Sequence, residues 1–260
     1  MLSILAHGDE GPVADLFVLL GPTLSEALGP NLPACGVGRR DRVEPRSGLA
    51  LRNEISAWAG ALGIHDFELY VGGKEPLGVQ GIPGDTPALV VGPAVNAPLT
   101  PLTRARVARE LLGVLRGTSV VRWRDDVTIA AVVAAACRLA DVRLEHPSYA
   151  MLAEVERLMG RALPRKTRRL LPEVCAAIVA QRSDARAWSK RALASQDRIA
   201  TIASGDPSVV LTDGGLGAGG AGDHAGALAA GTPRTTDLLR FVLSPTYLEI
   251  RHSIGLEGGT

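Results

Sequence analysis

Aromatic residues are nearly missing from this 260-residue chain, which has three each of Trp, Tyr and Phe. A core must therefore be built from Ala, Leu and Val. Cysteine is equally scarce: Cys35, Cys137 and Cys175 are odd in number, far apart, and form no Cys-x-x-Cys. That spacing excludes a zinc ribbon and a redox pair. Cys137 and Cys175 lie in apolar helical stretches and read as small buried hydrophobes in a reducing compartment. An excess of either charge is lacking too, with 28 Lys and Arg against 27 Asp and Glu. A dedicated nucleic-acid binder would show a strong basic surplus. The longest apolar run, Val127 to Cys137, lies between Arg124-Asp125-Asp126 and Arg138. It falls short of the roughly 20 residues a membrane helix needs. Met1 to Ala6 has no basic flank and gives way at once to His7, Asp9 and Glu10, unlike a signal peptide. These absences predict a soluble cytoplasmic protein with no membrane partner.

What is present is 46% hydrophobic and 21% charged, with 30 Gly and 17 Pro, the balance of an ordered, helix-rich globular chain. Residues 1 to 46 read as an irregular lead-in with one short helix near Leu24 to Leu28, ending in the charged knot Arg39-Arg40-Asp41-Arg42. Leu51, Ile55, Trp58 and Leu62 then follow helical spacing, stopped by Gly63. Phe67, Leu69 and Val71 alternate with polar positions as a strand does, and Ala88 to Val91 predicts a second strand. From Thr100 onward nearly everything reads as helix. Thr100 caps Leu102 to Arg116, and Asp125 or Asp126 caps an Ala- and Val-rich helix through Leu139 that has no solvent face. Further helices are predicted from Met151 to Gly160, from Pro164 to Ala180 with a break near Pro172, from Asp184 to Gly205, from Asp206-Pro207, and from Ser244-Pro245. Residues 47 to 212 thus form the main domain, 213 to 234 a glycine-rich loop, and 235 to 260 C-terminal helices on the same domain.

Three patterns could carry chemistry. Gly215, Gly217 and Gly220 spell a literal G-x-G-x-x-G, but no strand precedes them and no second strand follows, so they read as surface loop. Arg161, Arg165, Lys166, Arg168 and Arg169 form the densest basic cluster, which reads first as a solvated helix start and otherwise as a nucleic-acid contact. The five histidines place no two on one helix face, and there is no G-x-S-x-G or P-loop.

A fourth constellation is Val107-Ala-Arg-Glu-Leu-Leu-Gly113, mid-helix after helix, strand, loop and strand. It resembles the Ala-His-Glu-Leu-x-His helix of the HtpX-like and CAAX-prenyl-endopeptidase family, which are gluzincin peptidases. Leu193-Ala-Ser-Gln-Asp-Arg198 resembles that family's Glu-x-x-x-Asp-Arg segment, and Gly205-Asp-Pro207 its Gly-x-Asp-Pro. The likeness covers roughly residues 48 to 212. The chain also resembles the region that follows tetratricopeptide repeats in some large bacterial proteins. In the family two His and a distant Glu bind zinc, and the Glu between the His activates water. Here Arg109 and Gly113 stand at the His positions and Leu193 at the ligand Glu, while Glu110 and Asp197 persist.

The resemblance implies an α+β, mostly helical fold: a zincin-like core with a small sheet, packed on Leu111, Leu115 and the Val127 to Leu139 helix, and a helical bundle. It implies a non-catalytic domain with no cofactor and no metal, which binds a protein partner. Arg109 would replace the metal cation and need a carboxylate, Asp197 first and Glu110 second. Restoring Arg109→His, Gly113→His and Leu193→Glu together would rebuild the ligand set. Glu110 could instead be an exposed residue paired with Arg106, or serve an active hydrolase with His65, His146 or His252 as ligands.

Overall fold

A computed structural model describes residues 5–29, 31–213 and 232–253. The described residues are mostly helical, with eleven helices and one four-stranded sheet. The region expected to be irregular instead holds α1 (Pro12–Ala27). Val13, Leu16, Phe17, Leu20 and Leu24 follow helical spacing and all are buried. Pro22 inside α1 leaves the Val18 carbonyl without its helical donor, but Val18 lies on the exposed side, where water can serve. The short α2 (Leu32–Cys35) follows, then a 3-10 turn at Arg39–Asp41 that leads into β1 (Arg42–Val43).

After α3 (Ala50–Ala61) come β2 (Glu68–Val71), β3 (Val79–Ile82) and β4 (Ala88–Val91). The sheet order is β1-β2-β4-β3. Strand β2 runs parallel to β4, with Leu69 opposite Leu89, while β1 and β3 are antiparallel to their neighbours. Strands β2 and β4 were legible because their apolar residues are buried. Strands β1 and β3 were not, because they are short edge strands of mixed polarity.

Helix α4 (Pro101–Leu115) starts as its residues dictate, with the Thr100 side chain accepting from the Thr103 N–H and Pro101 in the first turn. At about 100° per residue, α4 presents three faces. Val107 and Leu111 pack with Leu69, Leu89 and Val91 of the sheet. Ala108 and Leu112 pack with Ile199, Ile202 and Ala203 of α8 (Ala185–Ser204). The third face carries Arg109, Glu110 and Gly113.

The second core holds α1, α5 (Asp126–Leu139), α6 (Leu152–Ala162), α7 (Arg165–Ala180) and the start of α8. The sheet therefore does not pack on α5, contrary to expectation: α5 is buried by helices on all sides. Thr128 through Cys137 are all buried, and the exposed residues of α5 are Val127 near its start and Arg138 near its end. Cys137 and Cys175 are both in this core. Helix α7 runs unbroken through Pro172, because the carbonyl that Pro172 cannot serve belongs to exposed Arg168. Helix α6 continues past Gly160 and ends before Pro164. Gly117 joins the two cores: it has φ +65°, and a Cβ there would lie 1.9 Å from the Phe17 carbonyl oxygen of α1. No larger residue lets α1 cross so near.

Three shorter helices complete the described chain: α9 (Pro207–Asp213), α10 (Pro233–Val242) and α11 (Pro245–Ser253). The glycine tract at 214–231 lies outside the described residues. Among those described, no helix is long and apolar enough to cross a membrane.

Because α5 has no solvent face, truncating it must leave a void. Ile129, fully buried, should cost about 2–5 kcal/mol when replaced by Ala, whereas Val127→Ala should cost under about 0.5. Urea unfolding of the two variants checks the contrast.

Candidate functional site

The third face of α4 opens on a cleft of about 550 Å³, walled by the loop from Glu75 to Val79, by Arg122, and by Asp213 at the end of α9. Arg109 lies at its base with its side chain 1% exposed. Its Nη1 donates to Asp213 Oδ2 at 2.8 Å, and Nη2 stands 3.6 Å from Asp197 Oδ1. The expected partner Asp197 is thus at hand, but Asp213 is the nearer one. Asp197 in turn accepts two hydrogen bonds from Arg234 of α10, one at 2.7 Å. Asp213 accepts from Arg106 Nε at 2.9 Å. One buried guanidinium therefore links α4, α8 and α9, and Asp197 extends the link to α10.

Glu110 is buried, not exposed, and it does not pair with Arg106 as the alternative reading supposed. The reason is strand β3: Glu110 Oε2 accepts from the Gly81 N–H at 2.9 Å and from Gln80 Nε2 at 3.2 Å. Gly81 makes this possible, since a Cβ there would meet Val114 Cγ2 at 2.6 Å. The other oxygen, Oε1, stands 3.5 Å from Arg122 Nε. Arg106 turns the other way, to Asp213 and the Leu77 carbonyl.

Gly113 and Leu193 depart from the expected ligand arrangement. A Cβ on Gly113 would lie 3.0 Å from Ser119 Oγ and 3.3 Å from Ser119 Cα, so a histidine needs the 3-10 turn at Ser119–Arg122 to move. Leu193 lines a different cleft, of about 460 Å³, with His7, Lys190 and Thr232.

Burial and neighbouring charge compete in the titration of Glu110 and Asp213. Burial pushes Glu110 above the ordinary carboxylate range, which the Arg122 charge, the Gly81 N–H and Arg109 offset only in part. Burial pushes Asp213 up as well, but the hydrogen bond from Arg106 and the charges of Arg109 and Arg106 outweigh it and hold the carboxyl low. Arg122 is pushed down by burial first and by the neighbouring Arg109 charge second.

The remaining sequence candidates lie elsewhere. His65 and His252 are exposed, His146 stacks on Tyr149, and among the described residues no histidine lines the Arg109 cleft. Among the described residues no three His, Cys, Asp or Glu side chains gather as metal ligands would. Arg161, Arg165, Lys166, Arg168 and Arg169 are all exposed around the junction of α6 and α7. Arg122, Asp213 and Arg234 were missed, since each meets the site only through tertiary contact and no spacing in the chain announces it. Comparison of the chain with protein-family models, with curated proteins and with solved structures gives no match.

Two outcomes follow from this geometry. Arg109→Ala should destabilise the protein by about 2–5 kcal/mol, because it strands buried carboxylates, and by more than Arg106→Ala, whose side chain is 28% exposed. Urea denaturation at neutral pH measures both. Glu110 binds its proton more tightly folded than unfolded, so its contribution must fall as pH rises above the unfolded value of about 4.3. Glu110→Gln should remove that part of the slope between pH 4 and 7. Asp9, also pushed up mainly by burial, is unchanged in the variant, so the difference between the two curves isolates Glu110.

Proposed function

We propose that this chain is a non-catalytic, metallopeptidase-like domain that binds a protein partner in the cytoplasm. The observation that carries the reading is a buried arginine, Arg109, set between Asp197 and Asp213 on the helix face where a gluzincin holds its metal. The order of elements supports it: helix, strand, edge strand, strand, then α4 with α8 packed along it, the same order in which the sequence resembles the peptidase family. A zincin-like core of this kind keeps its scaffold after losing its ligands, because the guanidinium supplies the positive charge that the surrounding carboxylates need. A guanidinium cannot lower the pKa of a bound water as zinc does, and it has no open coordination position. Glu110 Oε2 holds strand β3 through the Gly81 N–H and Gln80, a structural task for the residue that aligns with the family's base. The domain then works through its surfaces, as the C-terminal part of a repeat-containing bacterial protein would.

Purified protein offered zinc and then desalted should carry far less than one zinc per chain by elemental analysis. Its cleavage of an unfolded protein such as casein should equal that of the Glu110→Gln variant. One chelator-removable zinc per chain together with Glu110-dependent cleavage would overturn the reading.

A further inference from the structure

Several arginine donors in the cleft over α4 have no hydrogen-bond acceptor. Arg106 is fully used, with Nε and Nη2 on Asp213 and Nη1 on the Leu77 carbonyl. Arg109 is half used: Nη1 reaches Asp213, while Nε and Nη2 are buried without a hydrogen-bond acceptor. Arg122 is scarcely used. Its one polar contact among the described residues is Nε at 3.5 Å from Glu110 Oε1, too long for a good hydrogen bond, although its side chain is only 24% exposed.

The acids are already partly engaged. Glu110 Oε2 is committed to Gly81 and Gln80, and both Asp197 oxygens are held by Arg234. Four arginines (Arg106, Arg109, Arg122, Arg234) thus share three enclosed carboxylates (Glu110, Asp197, Asp213). Elsewhere the chain shows what the Nε–Nη2 edge of an arginine takes when it can: Arg198 grips both oxygens of Asp237. Guanidinium groups drawn out of water with their donors idle are costly, and a planar fork of this kind fits carboxylate or phosphate oxygens. The only other acid on the cleft wall, Glu75, is exposed at the rim, where water screens it.

We propose that this cleft binds a small oxyanion, the carboxylate or phosphate group of a small molecule, with the Arg122 guanidinium as its main contact and Arg109 behind it. The volume of about 550 Å³ leaves room for an organic group attached to the anion. The proton affinity of Arg122 is lowered by burial first and by the Arg109 charge second, and the second cause agrees with positive charge crowded in the cleft. These charges are present whatever the ancestry of the fold, so zinc binding would leave the oxyanion site standing, and its failure would leave the peptidase-like reading standing.

Thermal unfolding of the full chain in inorganic phosphate, and separately in acetate, tests it, with pH held constant and ionic strength matched by sodium chloride. At least one anion should raise the midpoint by about 2–4 °C over chloride, in a saturable way. The arm that does so names the ligand as phosphate-bearing or carboxylic. Arg122→Gln should abolish the rise, Arg122→Lys should keep less than half of it, and Lys166→Gln on exposed α7 should keep it all. Glu75→Gln should lower the half-saturating concentration at least twofold. The proposal is overturned if neither anion exceeds chloride, or if Arg122→Gln responds as the wild type does. Should Arg122→Gln fail to fold by circular dichroism, a full response in Arg122→Lys with an unchanged one in Glu75→Gln overturns it equally.

Discussion

A guanidinium shut away from water must be met by carboxylates, and Arg109 imposes that condition on the centre of this protein. Its two partners come from different helices, Asp197 from the middle of α8 and Asp213 from the end of α9. Asp197 in turn draws Arg234 at the start of α10. Breaking any one of these pairs leaves a charge with no route to water, so the helices are coupled through a network and not only through apolar packing. Alongside it, Ala108 and Leu112 of α4 pack with Ile199, Ile202 and Ala203 of α8.

Glu110 does for the sheet what Arg109 does for the helices. Strand β3 is an edge strand, and an edge offers unpaired N–H groups to any other chain. Here the Gly81 N–H is taken by the Glu110 carboxylate, which covers the edge from the side of α4. That bond needs the strand near the helix, which only a glycine at position 81 permits. The cost is a carboxylate drawn out of water, recorded in its raised proton affinity.

Together these two residues tie the helices and the sheet to one face of α4. Arg106, Glu110, Asp197 and Asp213 are engaged in holding neighbouring elements together, and Ser119 fills the space that a side chain at Gly113 would need. What is left over is positive charge, at Arg122 and on the idle edge of Arg109.

The helical class, most helix boundaries and the two inner strands were determined by the sequence alone, for local reasons. Thr100, Asp125 and Asp184 cap through their own side chains, Gly205 closes α8 with a left-handed residue, and the unbroken Ala and Val run of α5 admits no solvent face. The nearness of Arg109 to Asp197 was legible only through the family likeness, because no periodicity links positions 88 residues apart in number. Helix α1 was hidden by its prolines and glycines, whose penalties vanish once Val18 faces water and Gly117 lets the helix cross. Strands β1 and β3 take their structure from neighbours rather than from their own residues. Asp213, Arg122 and Arg234 became part of the site only when α9, the 3-10 turn and α10 closed around α4. Long-range charge pairing has no local signature, so tertiary structure alone could decide it.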